Sequence, residues 1–244
     1  MESMNILFKE AIKSKNSEKI NNFLIELSKD PKKEYLTFLS YFIDNVNLPL
    51  FEKTRLNLIF VLGEIGEKIQ MDEKYLKFLE EIYYKSDRWV RNEIIQAIDK
   101  ISRKSELPEH YLQLIRFSLT DDYEPVVINS LNVLLGLKNL PNHILKNVIQ
   151  ILKSKNSEII QKCSLILQRF VHDSNQLFYL LNDSNMYRSI KKNTIRTLLL
   201  AYFKSVINLE PLKNKIETAN WDRDSKEIYI KEIETFERIL LKNL

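Results

Sequence analysis

A set of five mostly apolar positions recurs along the chain at a nearly constant interval, and this recurrence limits the possible folds more than any other feature. Residues 87–101 contain the clearest copy, with Val90, Ile94, Ala97, Ile98 and Ile101. These positions fall on one face of an α-helix. Matching sets begin at Thr54, Val90, Val126, Ile159 and Ile190, so the intervals are 36, 36, 33 and 31 residues. A period in this range predicts helix pairs that stack into an α-solenoid.

A second kind of apolar segment precedes each of these helices. We call the first helix of a pair the A helix and the second the B helix. The predicted A helices open at Tyr35, Tyr75, Tyr111, Ile144 and Leu177.

The chain of 244 residues has 3 Gly and 6 Pro, too few for the many turns of a β-sandwich or barrel.

Some helix ends are also suggested by residue type. Asp87 stands where the N-cap of a B helix belongs, because its carboxylate can accept hydrogen bonds from the first backbone N–H groups. Gly66 is predicted to cap the end of the preceding B helix. Asp224 is predicted to cap the last helix, over 225–241.

The segment from Asp87 to Arg91 resembles the second helix of a HEAT repeat, in which an Asp precedes the helix and a Val-Arg pair opens it. The pair is complete at Val90-Arg91, and Thr54-Arg55 is a near match. Later repeats carry Val127, Ile160 and Lys191 in place of the Arg. The resemblance covers about residues 31–206. It implies that the A helices form a convex face and the B helices a concave face.

The fold predicted on this basis is an all-α, right-handed α-solenoid of about six to seven antiparallel helix pairs. We expect a single domain over 1–244. It would comprise an N-terminal capping pair at 1–30, five central repeats at 31–206 and a C-terminal capping pair at 207–244. Terminal repeats are expected to be atypical, because each has one neighbour to pack on.

The exposed stripe of the B helices is the predicted partner-binding surface. Its candidate residues are Asn92, Gln96, Lys100, Asn132, Gln161, Gln168 and Arg169. Amide side chains on a rigid face can hydrogen-bond the backbone of an extended peptide. The alternative interpretation is a solvated polar surface without a ligand, and the sequence leaves the two about equal.

Basic residues are concentrated in the second half of the chain. Residues 125–209 hold eleven Lys and Arg against three Asp and Glu, a net charge of +8. Arg188, Lys192 and Arg196 are spaced four apart and are predicted to share one helix face as an anion or nucleic-acid site. The alternative is a lysine-rich surface that reflects composition alone, which the sequence favours slightly.

The sequence contains no recognisable catalytic or cofactor-binding motif. Cys163 aligns with core positions and is expected to be buried rather than nucleophilic. Trp89 and Trp221 are expected to pack, although exposed tryptophans would be candidate hot spots. The three histidines lack metal-ligand spacing. We therefore predict no enzyme activity, no cofactor and no metal site.

Three functions remain open at this point. The leading hypothesis is a non-enzymatic scaffold or adaptor that binds a protein partner on its concave face. The alternative is nucleic-acid binding, similar to the HEAT-like DNA glycosylases that hold DNA in a basic concavity, but without assignable catalytic residues. A bilin lyase or related modification factor is a third, weaker possibility.

No apolar run is long enough to span a bilayer, no signal peptide is visible, and one cysteine fits a reducing compartment, so we expect a cytoplasmic protein without membrane insertion.

Overall fold

The computed structural model describes residues 2–45, 47–202 and 208–241, which form helices joined by short turns. No β-strand occurs in these ranges, so the predicted all-α class is confirmed. None of the helices in the same ranges is both long and apolar enough to cross a membrane. The chain forms two compact units, Met1–Gly136 and Leu137–Leu244, which we describe one at a time.

The first unit contains four consecutive helix pairs within its described residues. Its A helices are α1 (Glu2–Ser14), α3 (Leu36–Asn45, preceded by a 3₁₀ turn at Lys33–Tyr35), α5 (Glu73–Tyr83) and α7 (Tyr111–Ser118). Its B helices are α2 (Ser17–Lys29), α4 (Leu48–Lys68), α6 (Arg88–Ser102) and α8 (Glu124–Gly136). The armadillo/HEAT-like helical repeat that the apolar spacing indicates is therefore present.

The B helices of this unit form one continuous layer. Helix α4 packs along α2 and α6, and α6 packs along α8, more extensively than any A helix packs on its neighbouring A helix. The predicted stripe of α6 lies in the core: Val90, Ile94, Ala97, Ile98 and Ile101 are all buried. Because the B helices approach one another more closely than the A helices, the B layer is the tighter side of this unit.

Two glycines allow the close approach of α4 to α6. A Cβ atom on Gly66 would lie 2.3 Å from Cγ1 of Ile101, and one on Gly63 would lie 3.0 Å from Cα of Ala97. The prediction that Gly66 caps α4 is wrong, because the helix continues to Lys68. Gly66 is needed for helix packing instead of for a turn.

Arginine–aspartate pairs connect successive B helices at their N-terminal ends. Arg55 of α4 donates to Asp87 at 3.3 Å. Asp87 also caps α6, as predicted, by accepting hydrogen bonds from the backbone N–H groups of Trp89 and Val90. In the next repeat Arg91 donates to both carboxylate oxygens of Asp121, at 2.7 and 2.9 Å. These are the two repeats whose sequences carry the Arg.

The second unit continues the alternation of helices. Its A-type helices are α9 (Asn142–Ile151), α11 (Ser174–Leu181) and α14 (Glu210–Thr218). Its B-type helices are α10 (Ser157–Phe170), α13 (Lys192–Tyr202) and α15 (Arg223–Leu241), and a short helix, α12 (Ser184–Ser189), lies before α13. Helix α13 packs between α10 and α15, and α11 packs against α9 and α14. This arrangement repeats the two layers of the first unit.

Two helix starts differ from the sequence predictions. Asp222, not Asp224, caps α15, because its carboxylate accepts from the backbone N–H of Ser225 at 2.9 Å. Arg188 lies in α12, before the start of α13 at Lys192. The predicted boundary at 206/207 lies outside the described residues. The single domain, the number of pairs and the right-handed twist stay predictions.

Replacing Gly66 with Ala is expected to lower the free energy of unfolding by about 1–3 kcal/mol, because the new methyl group would overlap the fully buried Ile101. Urea denaturation followed by circular dichroism would measure this change. Gly136→Ala is the control, since its Cβ would meet nothing within 4 Å. That variant should gain about 0.4–1 kcal/mol. Equal stability of the two variants would contradict the close packing of α4 on α6.

Asp121→Asn is expected to lower the free energy of unfolding by about 3 kcal/mol at neutral pH. The guanidinium of Arg91 would lose the carboxylate that binds it through both oxygens. Burial raises the pKa of the Asp121 carboxyl, but hydrogen bonds from Arg91 and from the backbone N–H of Tyr123 outweigh it and hold that pKa below the ordinary 3.8. The contribution to stability is therefore complete above about pH 4 and is lost as the pH falls further. Urea denaturation at pH 7 and at pH 3 should show that the free energy of unfolding falls less on acidification in the Asp121→Asn variant than in the wild type. Asp122→Asn, at a residue whose side chain is 91% exposed, should change stability by less than about 1 kcal/mol.

Candidate functional site

The predicted binding residues of the first unit lie on the exposed side of the B layer, where they contact one another. Asn92 of α6 accepts a hydrogen bond from the amide of Asn129 on α8 at 2.9 Å. Asn132 donates to the side-chain oxygen of Asn129 at 3.4 Å. All three side chains are half-buried. The structure therefore brings Asn92 and Asn132 together through a residue that the sequence interpretation left out.

Asn129 belongs to a row of polar residues that the sequence interpretation missed. Asn21, Asn57, Glu93 and Asn129 occupy the same position of α2, α4, α6 and α8 and are spaced 36 residues apart at every step. Asn57 donates to the side-chain oxygen of Asn21 at 2.9 Å, and Asn21 donates to the backbone carbonyl of Lys53 at 3.1 Å. The constant interval was the signal that could have revealed this row. We call Asn21, Asn57, Asn92, Asn129 and Asn132 the amide face.

A carboxylate interrupts the asparagine row at α6. Glu93 is half-buried, and this burial raises the pKa of its carboxyl above the ordinary range. The positive charge of Lys100 acts in the opposite direction, and the negative charge of Glu64 adds to the rise. A cation or a hydrogen-bond donor nearby would thus stabilise the ionised carboxylate of Glu93 at the centre of the row.

Lys100 and Gln96 lie further along α6, and both are half-buried. The ammonium group of Lys100 pairs with the carboxylate of Glu64 on α4 and lies 4.9 Å from the centre of the Phe60 ring. The sequence interpretation counted Lys100 among the free positions, whereas the structure shows it engaged between two helices. Lys100 therefore contributes an ion pair between α4 and α6 to this side of the layer.

The remaining three candidates belong to the second unit. Gln161, Gln168 and Arg169 are exposed on α10. The guanidinium of Arg169 lies 5.0 Å from the centre of the Phe170 ring. The seven predicted residues are therefore divided between two compact units, with Asn92, Gln96, Lys100 and Asn132 in the first.

Two carboxylates pair with the three cations of the predicted anion site. Arg188 donates to Asp222 at 3.1 Å, Lys192 pairs with Glu232 at 3.2 Å, and Arg196 pairs with the other oxygen of Glu232. Glu232 is 1% exposed. Burial raises the pKa of its carboxyl, but hydrogen bonds from Arg196 and Lys192 outweigh this and lower it. The three cations do not share one helix, and their charges are used to attach α15 and the turn before it. Lys204 of the basic segment lies outside the described residues.

The two tryptophans have different surroundings. Trp221 is buried, stacks on Tyr187 with ring centres 4.5 Å apart, and donates from its indole N–H to Asn182 at 2.8 Å. The packing prediction holds for this residue. Trp89 is 58% exposed and contacts Tyr123 at a ring-centre distance of 5.5 Å. The packing prediction is wrong for Trp89, which becomes a candidate hot spot.

The described residues offer no obvious reactive centre. Cys163 is buried as predicted, and burial raises the pKa of its thiol to about 12. The thiol is therefore protonated at neutral pH and unsuited to nucleophilic attack. No group of three or more His, Cys, Asp or Glu is arranged to hold a metal ion in this part of the chain. The chemistry that the B layer supports is hydrogen bonding and charge pairing.

Comparisons with known proteins give matches in structure and none in sequence. Neither a family model nor a curated protein matches the sequence. The fold is similar to the crystal structure of an engineered protein, with 14% identity, coverage of 96% of this chain and 98% of that chain, and a TM-score of 0.49. It is also similar to computationally designed armadillo repeat proteins for modular peptide recognition, with 12% identity, coverage of 93% and 97%, and a TM-score of 0.47.

Glu232→Gln is expected to lower the free energy of unfolding by about 1.5–3 kcal/mol, because the hydrogen bonds that Lys192 and Arg196 donate to this carboxylate would lose their charge assistance. Urea denaturation at pH 7 would measure the change. Glu234→Gln is a matched control on the same helix, since Glu234 pairs with Lys213 at 3.3 Å on the surface. The control should change stability by less than about 1 kcal/mol. Similar small losses in both variants would argue against a structural role for the Glu232 cluster.

Proposed function

We propose that the protein is a non-enzymatic scaffold and that the amide face of the first unit binds an extended segment of a protein partner. The observation that carries this proposal is the row of half-buried polar side chains at 36-residue intervals on four neighbouring helices, with asparagine on α2, α4 and α8 and Glu93 on α6, where Asn92 lies beside it. An extended backbone needs repeated donors and acceptors, and a row of amides on stacked helices supplies both kinds of group along one direction.

The hydrogen bonds within the row leave capacity for a ligand. An asparagine side chain has two N–H donors and an oxygen with two lone pairs. Each bond between neighbouring asparagines, such as the one from Asn57 to Asn21, uses one N–H of the donor and one lone pair of the acceptor. The bonds also fix the side-chain orientations before a partner arrives. Preorganisation of this kind reduces the entropy lost on binding.

The packing of the B layer supports this choice of face. Because α2, α4, α6 and α8 approach one another more closely than the A helices do, the B side of the first unit is the natural inner surface of a stack of helical hairpins. Inner surfaces of such stacks are extended and collect groups from several repeats. Gln96 and Lys100 extend the proposed surface along α6. Gln161, Gln168 and Arg169, which are exposed on α10, are proposed as partner contacts of the second unit by itself.

The face can be tested with the triple variant Asn92→Ala, Gln96→Ala, Asn132→Ala. Peptides selected by the wild-type protein from a displayed random library should bind this variant about 10- to 100-fold more weakly, because each net hydrogen bond contributes about 1 kcal/mol. Calorimetry would measure the affinities. Circular dichroism should stay unchanged, since these side chains lie outside the apolar core.

The control carries three substitutions at exposed positions of the A helices: Lys77→Ala, Gln113→Ala and Arg116→Ala. Its affinity should match the wild type. A photo-crosslinking residue at Gln96 should label the selected peptide, whereas one at Gln113 should not. Equal binding by the two triple variants, or labelling from Gln113 alone, would rule out the amide face as the binding surface.

A further inference from the structure

A second exposed surface of the first unit lies at the turns that join A helices to B helices. An open groove of about 370 Å³ is lined there by Tyr84, Arg91, Phe117, Thr120, Asp121 and Asp122. Tyr84 follows the end of α5, Phe117 is in the last turn of α7, and residues 120–122 form the turn before α8. The groove is separate from the amide face, and its residues are not used by the proposed function.

Two aromatic rings form one wall of the groove and are more exposed than packing residues usually are. Tyr84 is 53% and Phe117 is 54% exposed, and their ring centres are 5.3 Å apart at 65°. Burial, followed by the charge of Glu80, raises the pKa of the Tyr84 hydroxyl. The ring therefore stays uncharged at neutral pH, and both rings present π-electron density to solvent, which attracts cations.

The charges in the groove are negative on balance. The guanidinium of Arg91 faces two carboxylates, which leaves one net negative charge. Arg91 is held by Asp121 through two hydrogen bonds, and the hydroxyl of Tyr83 also donates to Asp121 at 3.1 Å. Asp122 receives a single hydrogen bond from Arg91, at 3.0 Å, and its side chain is 91% exposed. Asp122 is thus the carboxylate that can turn to an incoming cation.

We propose that this groove binds an arginine side chain of a protein partner. The aliphatic part and the guanidinium plane would lie against Tyr84 and Phe117, and the guanidinium would pair with Asp122. Arginine fits better than lysine, because its planar group stacks on aromatic rings and can form two parallel hydrogen bonds with a carboxylate. One anchored side chain binds weakly, so the groove acts as an accessory contact beside a larger interface.

The probe is an acetylated and amidated pentapeptide with arginine at its centre and glycine elsewhere. In ¹H–¹⁵N correlation spectra of the full chain, its addition should shift the backbone signals of Tyr84, Thr120 and Asp122 in a saturable way. The same peptide with citrulline at its centre keeps the shape and lacks the charge, and it should produce no saturable shift. A lysine-centred peptide should bind more weakly than the arginine-centred one.

Asp122→Asn and Phe117→Ala should each lower the affinity for the arginine peptide about three- to fivefold, since each removes one contact to the guanidinium. Both residues are exposed, and unchanged circular dichroism would verify the fold. Tyr179→Ala removes a ring that is 60% exposed in the second unit, and it should leave the affinity unchanged. The proposal is overturned by no saturable shift at these residues, by equal binding of the citrulline peptide, by equal or tighter binding of the lysine peptide, or by unchanged affinity in both groove variants. These outcomes are independent of whether the amide face binds a peptide.

Discussion

The close packing of neighbouring B helices is the constraint on which the first unit depends. Gly63 and Gly66 of α4 allow the backbone of α6 to approach at Ala97 and Ile101. Neighbouring B helices bring residues 36 positions apart in sequence within hydrogen-bonding range. Asn57 and Asn21 are one example, and Lys100 and Glu64 are another. A wider spacing would leave the same side chains as isolated polar groups and would remove the amide face as a unit.

The link between Arg and Asp acts at the ends of the same helices. Asp87 accepts from its own helix and from Arg55 of the preceding repeat, so one carboxylate fixes both a helix start and its position relative to a neighbour. Asp121 plays a similar part for Arg91. Val127 occupies the corresponding position of α8 and cannot form such a bond. In the second unit other ion pairs connect neighbouring elements: Arg188 pairs with Asp222, and Arg196 pairs with Glu232.

The sequence was sufficient to predict the core and the repeat, because apolar spacing is a property of each helix alone. Ile94, Ser130 and Cys163 align in sequence, and all three are buried. The candidate site was less predictable, since the partner of a polar side chain lies on another helix. The sequence did not reveal the carboxylate partners of Lys100 and Arg196, each of which lies 36 residues away. Gly66 was misassigned for the same reason: the atom that excludes a side chain there belongs to Ile101 of the next helix.

The contrast between the two tryptophans gives each unit an optical reporter of its own. Trp89 belongs to the first unit and is largely open to solvent, whereas Trp221 belongs to the second and is enclosed by Phe178, Tyr187 and Tyr229. An aqueous quencher such as iodide would reach the indole at 89 while sparing the indole at 221. Loss of structure in the second unit would move the emission of its indole to longer wavelength. Intrinsic fluorescence can therefore follow the two halves of the chain separately, without an added label.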